Sequence, residues 1–249
     1  MLELQNVTVI FNEGTTLEKK ALDNVSLTIN DGDFVTILGS NGAGKSTFFN
    51  VITGSIPVKS GKIFLDGQEI THQPEHVRSK TLGRLFQDPS QGTAPHMTVE
   101  ENMGLAISSH RSLFAIAVRK QEQEQFKQIL SQLDMGLEDR LKTPIGLLSG
   151  GQRQAVALMM AVVNPPKLLM LDEHTAALDP VSAKKILEVT NQVIAKDRIT
   201  ALMITHNLKD ALENGNRLLI FQDGKVTHDF SGQAKEQLTI EDLVHCYDV

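Results

Sequence analysis

The sequence predicts an α/β fold built around a parallel sheet, and the pattern of its apolar runs carries this prediction. Three runs, at 34–38, 168–171 and 201–205, are too short for helices and are bounded by turn residues. This is the pattern of strands that are buried on both faces. Each run is followed at once by glycine-rich or polar sequence. Because ligands of open α/β sheets bind outside the carboxyl ends of the strands, these three runs predict a functional site at one sheet edge.

Two other segments predict antiparallel pairing. Residues 62–65 and 218–222 are each followed by the dipeptide Asp-Gly, which is favoured in tight hairpins. We therefore expect β-hairpins beside the parallel core.

The middle of the chain predicts helices. Strand signals fade between Ser90 and Leu148, and residues 113–133 carry periodic aliphatic side chains among Gln, Glu and Lys, which is typical of an amphipathic helix. The predicted division is a helical subdomain at 90–155, inserted into an α/β core with an antiparallel β part at 1–89 and 156–249.

Composition excludes several classes of protein. The 249 residues are 41% apolar and contain one cysteine, Cys246, so an internal disulfide framework is excluded and a reducing compartment is expected. A net charge of −6 without clustered Lys or Arg argues against nucleic acid as the main partner. We expect no secretory leader, and the most apolar stretch, 155–163, is well short of the roughly 20 residues of a membrane span.

The segment that follows the first apolar run has the chemistry of a phosphate cradle. Two glycines separated by four residues precede Lys45 and Ser46, and such a loop points backbone N–H groups at phosphate oxygens beside a helix amino terminus. Lys45 would reach the β and γ phosphates, and the Ser46 hydroxyl would ligate Mg²⁺. The alternative is a glycine-rich turn that binds nothing. The expected nucleotide contacts are Gly39, Ser40, Asn41, Gly42, Ala43, Gly44, Lys45, Ser46 and Thr47.

The other two apolar runs end in candidates for hydrolysis. Triphosphate hydrolysis needs a carboxylate for the hydrated Mg²⁺ and a second group that orients the attacking water. Asp172 is the candidate metal-side carboxylate and Glu173 the candidate base, although strands often end in a solvated charge. His206 closes the third run, where its alternative role is that of an ordinary surface or helix-capping histidine.

A second potential phosphate site precedes another helix-like run. In the segment 148–152, two glycines follow Ser149, whose hydroxyl is suited to cap a helix amino terminus. One chain that binds one triphosphate does not need two such cradles.

Six motifs in this order give the chain a resemblance to the nucleotide-binding subunit of an ABC transporter, an ABC-type ATPase with a P-loop NTPase (RecA-like) core. They resemble the Walker A loop (39–47), the Q-loop glutamine (Gln87), the signature sequence (148–152), the Walker B strand (168–173), the D-loop (177–179) and the switch histidine (His206). A P-loop kinase or GTPase is the weaker alternative, because it leaves 148–152 unexplained and the guanine-reading Asn-Lys-x-Asp motif is missing.

The resemblance implies that two copies pair head to tail, with each ATP between the Walker loop of one copy and the signature of the other. It implies ATP and Mg²⁺ as cofactors, permease subunits as partners, indirect contact with an extracellular substrate-binding lipoprotein, and a peripheral location on the cytoplasmic face of the membrane. The implied catalytic residues are Glu173, His206, Lys45 and Gln87. The implied metal-site residues are Ser46, Gln87 and Asp172. The implied contacts with the partner's nucleotide are Ser149, Gly150, Gly151 and Gln152, while Asp179 links the two sites.

Two positions depart from the family pattern. Phe11 stands where the family usually has Tyr stacked on adenine, and its alternative is a core aromatic in the first strand. His174 stands where the family generally has Pro. We expect its imidazole to be neutral and to face solvent.

The segments 172–179 and 86–95 resemble one branch of the family, the ATPases of bacterial amino-acid uptake systems. This resemblance implies an importer for an amino acid such as tryptophan, although cargo selection belongs to the receptor and permease. The alternative is a soluble ABC-type ATPase that acts on nucleic acid or ribosomes.

Overall fold

The strands form two sheets in a computed structural model that describes residues 1–108 and 119–247. Their bounds are β1 Leu2–Phe11, β2 Lys19–Ile29, β3 Phe34–Gly39, β4 Ser60–Leu65, β5 Gln68–Glu69, β6 Leu82–Leu85, β7 Leu168–Asp172, β8 Ala201–Ile204, β9 Arg217–Gln222 and β10 Lys225–Ser231.

The larger sheet has the order β10-β9-β3-β8-β7-β6. Strands β9, β3, β8, β7 and β6 run parallel, while β10 pairs antiparallel with β9. The three predicted apolar strands are therefore direct neighbours, and the α/β prediction is confirmed. Every residue of β3 is buried, as expected for a central strand covered on both faces.

The smaller sheet is antiparallel and has the order β2-β1-β4-β5. The predicted hairpins form at Asp66-Gly67, between β4 and β5, and at Asp223-Gly224, between β9 and β10. Strand β9 also pairs parallel with β3 on its other side. The sequence did not predict that second pairing, because a turn dipeptide reports only on the neighbour that it connects.

The helices lie at α1 Lys45–Thr53, α2 Glu75–Arg78, α3 Val99–Ser108, α4 Lys120–Ser131, α5 Gly150–Val162, α6 Pro180–Asp197, α7 Leu208–Glu213, α8 Gln233–Glu236 and α9 Ile240–Tyr247. The chain from β6 to β7 is helical wherever it has regular structure in the described ranges, as predicted. Part of the predicted run 113–133, namely 113–118, lies outside the described residues. The division at 90 and 155 stays a prediction, and its second boundary falls within α5.

Most side chains of the core are aliphatic, since only 4% of the residues are aromatic. One buried cluster lies between the antiparallel sheet, α1 and one face of the parallel sheet. A second cluster packs the other face against α3–α6. Burial of each aliphatic side chain stabilises the fold by about 1.5–3 kcal/mol before entropy is counted. The parallel sheet is thus fixed on both faces, and the loops at its carboxyl ends have a rigid base.

Within residues 1–108 and 119–247, we find no helix with both the length and the apolarity needed to span a bilayer.

Candidate nucleotide-binding and hydrolysis site

A cleft of about 220 Å³ opens where the loop after β3 meets the antiparallel sheet. It joins a glycine-rich backbone, two ammonium groups, one carboxylate and one aromatic ring, which together suit a nucleoside triphosphate. Its lining residues are Phe11, Lys19, Ala21, Asn41, Gly42, Gly44, Lys45, Ser46, Thr47 and Glu173.

The cradle depends on a glycine at position 44. Gly44 has φ +108° and lies directly before α1, so the loop enters the helix in a conformation that L side chains rarely adopt. A Cβ at this position would lie 2.5 Å from the Ala21 carbonyl oxygen. The backbone of the loop therefore lies against β2, and the amino terminus of α1 faces the cleft.

The Lys45 side chain is folded back along the loop. Its Nζ donates to the carbonyl oxygens of Gly39 at 2.6 Å and Ser40 at 3.0 Å. Burial lowers the pKa of Lys45, and the nearby carboxylates of Glu173 and Asp172 oppose that shift. The carboxylates favour the charged ammonium, the form that pairs with phosphate.

The strands β7 and β8 bring the candidate base and the candidate switch histidine together. Asp172 is in register with Ile204, and the Glu173 N–H donates to the Ile204 carbonyl at 3.1 Å. The Glu173 Oε2 lies 3.4 Å from the His206 Nδ1. The His206 side chain is 65% exposed at this edge, and its contact with a ligand stays a prediction.

Asp172 has a partner that the sequence analysis missed. The Arg84 Nη2 donates to the Asp172 Oδ2 at 3.2 Å, and the guanidinium lies 4.7 Å from the centre of the Phe86 ring. Burial raises the pKa of Asp172, against the effect of Arg84. The signal was present in the sequence: Arg84 interrupts the apolar segment 82–85 just before the predicted Gln87, but pairing of that segment with β7 was not foreseen.

Gln87 does not line the cleft. It is exposed, two residues beyond the end of β6, at the same sheet edge as Asp172 because β6 and β7 are parallel. Its proposed contacts with metal and permease stay predictions.

The signature segment forms a capping box at the start of α5. Ser149 Oγ accepts from the Gln152 N–H at 3.2 Å, and Gln152 Oε1 accepts from the Ser149 N–H at 3.3 Å. Gly151 is buried where a Cβ would lie 2.9 Å from the Ser182 Cβ. Ser149 is exposed. As far as the structure describes the chain, the cleft lining includes no residue of 149–152, so one copy does not bring its two cradles together.

Asp179 acts locally as a helix cap. Its Oδ1 accepts from the N–H groups of Val181 at 3.1 Å and Ser182 at 3.0 Å, and hydrogen bonding from Ser182 lowers the pKa of Asp179. The link between two nucleotide sites stays a prediction.

The two departures from the family pattern have different outcomes. Phe11 ends β1, is 36% exposed and lines the cleft, so it is not a core aromatic. The expectation for His174 was wrong: only 2% of it is exposed, and burial lowers its pKa to about 4. Helix α6 covers it through Thr190, a contact 16 residues away that local sequence does not report. The imidazole is neutral at pH 7, as expected.

The residues present fit a divalent cation held mainly by phosphate. Ser46 presents a hydroxyl to the cleft, and Asp172 presents a carboxylate at the same edge. The described parts of the chain contain no cluster of three or more His, Cys, Asp or Glu side chains that could hold a metal. Mg²⁺ is commonly bound by one or two protein oxygens together with substrate phosphates.

A strand, a glycine loop and a helix that carries Lys45, with Asp172 at the end of β7 in the same sheet and Glu173 directly after it, define a P-loop nucleoside triphosphatase. Residues 22–176 match the model of the ABC transporter family. The chain belongs to this family, and it is an ATP-binding subunit with ATPase activity.

Curated relatives extend the likeness to the full chain. The tyrosine transport ATP-binding protein of Clostridioides difficile (strain R20291) is 40% identical over 248 residues, which are 100% of this chain and 99% of that protein. The spermidine/putrescine import ATP-binding protein PotA of Pasteurella multocida (strain Pm70) is 35% identical over 233 residues, 93% of this chain. The chain spans 58% of PotA.

A solved relative agrees in fold. The dimeric structure of a post-hydrolysis state of the ATP-binding cassette MJ0796 bound to ADP and Pi has a TM-score of 0.76 at 30% identity. The match covers 93% of this chain and 98% of that chain.

Proposed function

We propose that two copies of this chain bind two MgATP at a shared interface and that their closure powers amino-acid uptake through membrane permeases. The main support for this proposal is the full-length similarity to a protein named for tyrosine transport. The PotA name supports import as the direction.

The geometry supports a division of roles in hydrolysis. Glu173 would orient and polarise the attacking water, since it directly follows β7 and lines the cleft. His206 would contact the γ-phosphate from its position 3.4 Å from Glu173. Lys45 would exchange its two carbonyl partners for phosphate oxygens and offset charge on the transferred phosphoryl group.

Mg²⁺, when held by Ser46, Asp172 and Gln87, would supply further charge stabilisation at the phosphates. For that to happen, Asp172 must share its carboxylate with the cation or release it from Arg84, to which it is now bonded. Phe11 would stack on adenine through its exposed face.

The incomplete cleft supports a head-to-tail dimer. The exposed Ser149, the backbone of the glycines at 150 and 151, and Gln152 would complete the site of the partner copy at the γ-phosphate. Asp179, at the start of α6, would link the two sites. The dimeric assembly named for MJ0796 supports this arrangement.

The proposed cargo is an aromatic amino acid, with tyrosine favoured by the name of the relative and tryptophan as the second candidate. The ATPase would lie on the cytoplasmic face of the membrane, held there by the permeases. Cargo would reach the permease from an extracellular lipoprotein receptor, so the ATPase would not touch it.

The test is uptake in cells that lack their own aromatic amino-acid transport. The chain is expressed with the permease and receptor of an aromatic amino-acid uptake system, and uptake of labelled tyrosine, tryptophan and leucine is measured. We expect aromatic uptake that Glu173→Gln reduces at least 100-fold, because a general base contributes about 10²–10⁴ to rate.

Glu241→Gln serves as the matched control, because it makes the same chemical change at an exposed residue of α9, outside the cleft lining. Parent-like uptake by Glu173→Gln would contradict the base assignment. ATPase activity that needs no permease and is stimulated by DNA or ribosomes would instead favour a soluble ABC-type ATPase.

A further inference from the structure

His174 connects the end of β7 to helix α6 in the core of the protein. Its Nε2 lies 3.3 Å from the Thr190 Oγ1, and the two residues are 2% and 1% exposed. A buried polar pair of this kind is maintained only where its hydrogen bond is satisfied.

The direction of this bond follows from the partners of Thr190. The Thr190 hydroxyl donates its one proton to the Ile186 carbonyl oxygen at 2.8 Å, so its oxygen acts as an acceptor toward the imidazole. His174 Nε2–H therefore donates, and the ring is fixed against α6 in one orientation.

Glu173, the residue before it, has an unusual backbone. Its φ is +46°, a left-handed conformation that costs a non-glycine residue about 1–3 kcal/mol and persists only where the surroundings enforce it. The Glu173 N–H donates to Ile204, and its carbonyl accepts from Ala176 at 3.0 Å. These bonds anchor the backbone on both sides of Glu173, and the buried His174 side chain adds an anchor at the next residue.

We propose that His174 is a positioning residue, whose hydrogen bond to Thr190 holds the Glu173 carboxylate where it meets the attacking water beside His206. The imidazole does not reach the reacting atoms, since it is buried under α6. The inference rests on the proposed role of Glu173 as base.

Helix α6 gives this bond a second consequence. The same helix begins at the Asp179 cap and packs through Ser182 against Gly151 of the signature segment. The bond between His174 and Thr190 thus connects Glu173 to α6. The same helix supports the signature segment, which would complete the ATP site of the partner copy. A shift of α6 on dimer closure would move Glu173 with it.

The test is a set of matched variants of the full chain, with kcat and KM for MgATP, ATP affinity and thermal melting measured for each. His174→Ala and Thr190→Val each remove the bond, and each is expected to lower kcat about tenfold with ATP affinity within about twofold. The double variant is expected to lose no more than either single variant, because both remove one interaction.

Conservative variants and a second background separate positioning from simple stabilisation. Thr190→Ser retains the acceptor, and His174→Gln retains an Nε2 donor, so both are expected to restore most of kcat. In a Glu173→Gln background, His174→Ala is expected to lower kcat no further, since its effect passes through Glu173.

Parent-like kcat in Thr190→Val, with or without a lower melting temperature, would overturn the inference, as would multiplied losses in the double variant. Because Thr190→Val preserves side-chain volume, it tests the positioning role even if His174→Ala does not fold. Parent-like turnover by Glu173→Gln would instead defeat the proposed base, so the two failures are distinguishable.

Discussion

Two buried lysines at opposite edges of the parallel sheet show what separates a ligand site from a structural one. Lys45, at the carboxyl edge, donates to the carbonyls of Gly39 and Ser40. Lys235, at the amino edge, donates to the carbonyls of Asn214 and Gly215. Burial lowers the pKa of both, that of Lys235 to about 8.

Their surroundings differ. Lys45 lines an open cleft and lies near two carboxylates that favour its charged form. Lys235 lies beside a larger cleft of about 560 Å³, yet it is not among the residues that line it.

The larger cleft contains charges that already have partners. Arg217 donates to the two Asp229 carboxylate oxygens at 2.7 and 2.6 Å and to the Thr28 carbonyl. Cleft size therefore does not identify the functional site. The functional site is identified instead by a charged side chain that is bonded only to backbone atoms and that lines a cleft open to a ligand.

The largest expected contrast between the edges is at two glycines with positive φ. Gly44→Ala would place a Cβ 2.5 Å from the Ala21 carbonyl, whereas at Gly32, with φ +79°, a Cβ meets nothing within 4 Å. We expect Gly44→Ala to cost about 3 kcal/mol or more of unfolding free energy and to abolish ATP binding, and Gly32→Ala to cost about 1 kcal/mol and bind normally. Chemical denaturation and nucleotide titration measure both, and equal effects would remove the contrast.

The next contrast concerns the aromatic wall of the carboxyl-edge cleft. Phe11→Ala is expected to weaken ATP binding about tenfold and Phe11→Tyr to preserve it, because stacking on a base is worth about 1–3 kcal/mol. The free energy of unfolding should change little, since Phe11 is 36% exposed. Unchanged ATP affinity combined with a large loss of stability would instead make Phe11 a packing residue.

The smallest contrast is the pH dependence that Lys235 gives to stability. Its folded pKa is about 8 against an ordinary value of 10.5, so between these values the unfolded chain binds more protons and stability rises with pH. Relative to Lys235→Met, the parent should gain about 1 kcal/mol of unfolding free energy from pH 7.5 to 9. ATP turnover should be the same in both proteins. Parallel pH curves would contradict the burial of a lysine without a carboxylate partner.

The sequence predicted the parts of the site that follow directly from strand ends. The runs before Lys45, Asp172 and His206 are almost wholly apolar, which is the pattern of a strand buried on both faces. Ser149 and Gln152 likewise have the spacing of a capping box, a pattern of four residues that indicates where a helix begins.

What the sequence could not predict depends on contacts between distant segments. His174 looks like any polar residue after a strand, and its burial comes from Thr190 on another element. Arg84 lies 88 residues from Asp172, and their pairing requires β6 to be recognised as a neighbour of β7. Periodicity describes which side of an element is covered and contains no information on what covers it.

The central claim is that the carboxyl edge of one copy is half of an ATP site, which the signature segment of a second copy completes. Lys45→Met removes the ammonium group that would bind the phosphates. Ser149→Arg places a bulky side chain at the exposed residue of the signature segment. Each variant alone should hydrolyse ATP at least about 100-fold more slowly than the parent.

Mixing the two inactive variants in equal amounts tests this claim most directly. A head-to-tail pair of unlike copies contains one site with both defects and one with neither. Turnover should therefore return to about a quarter of the parent rate, because half of the pairs are unlike and each has one intact site. A mixture no more active than its separate components would contradict the shared site.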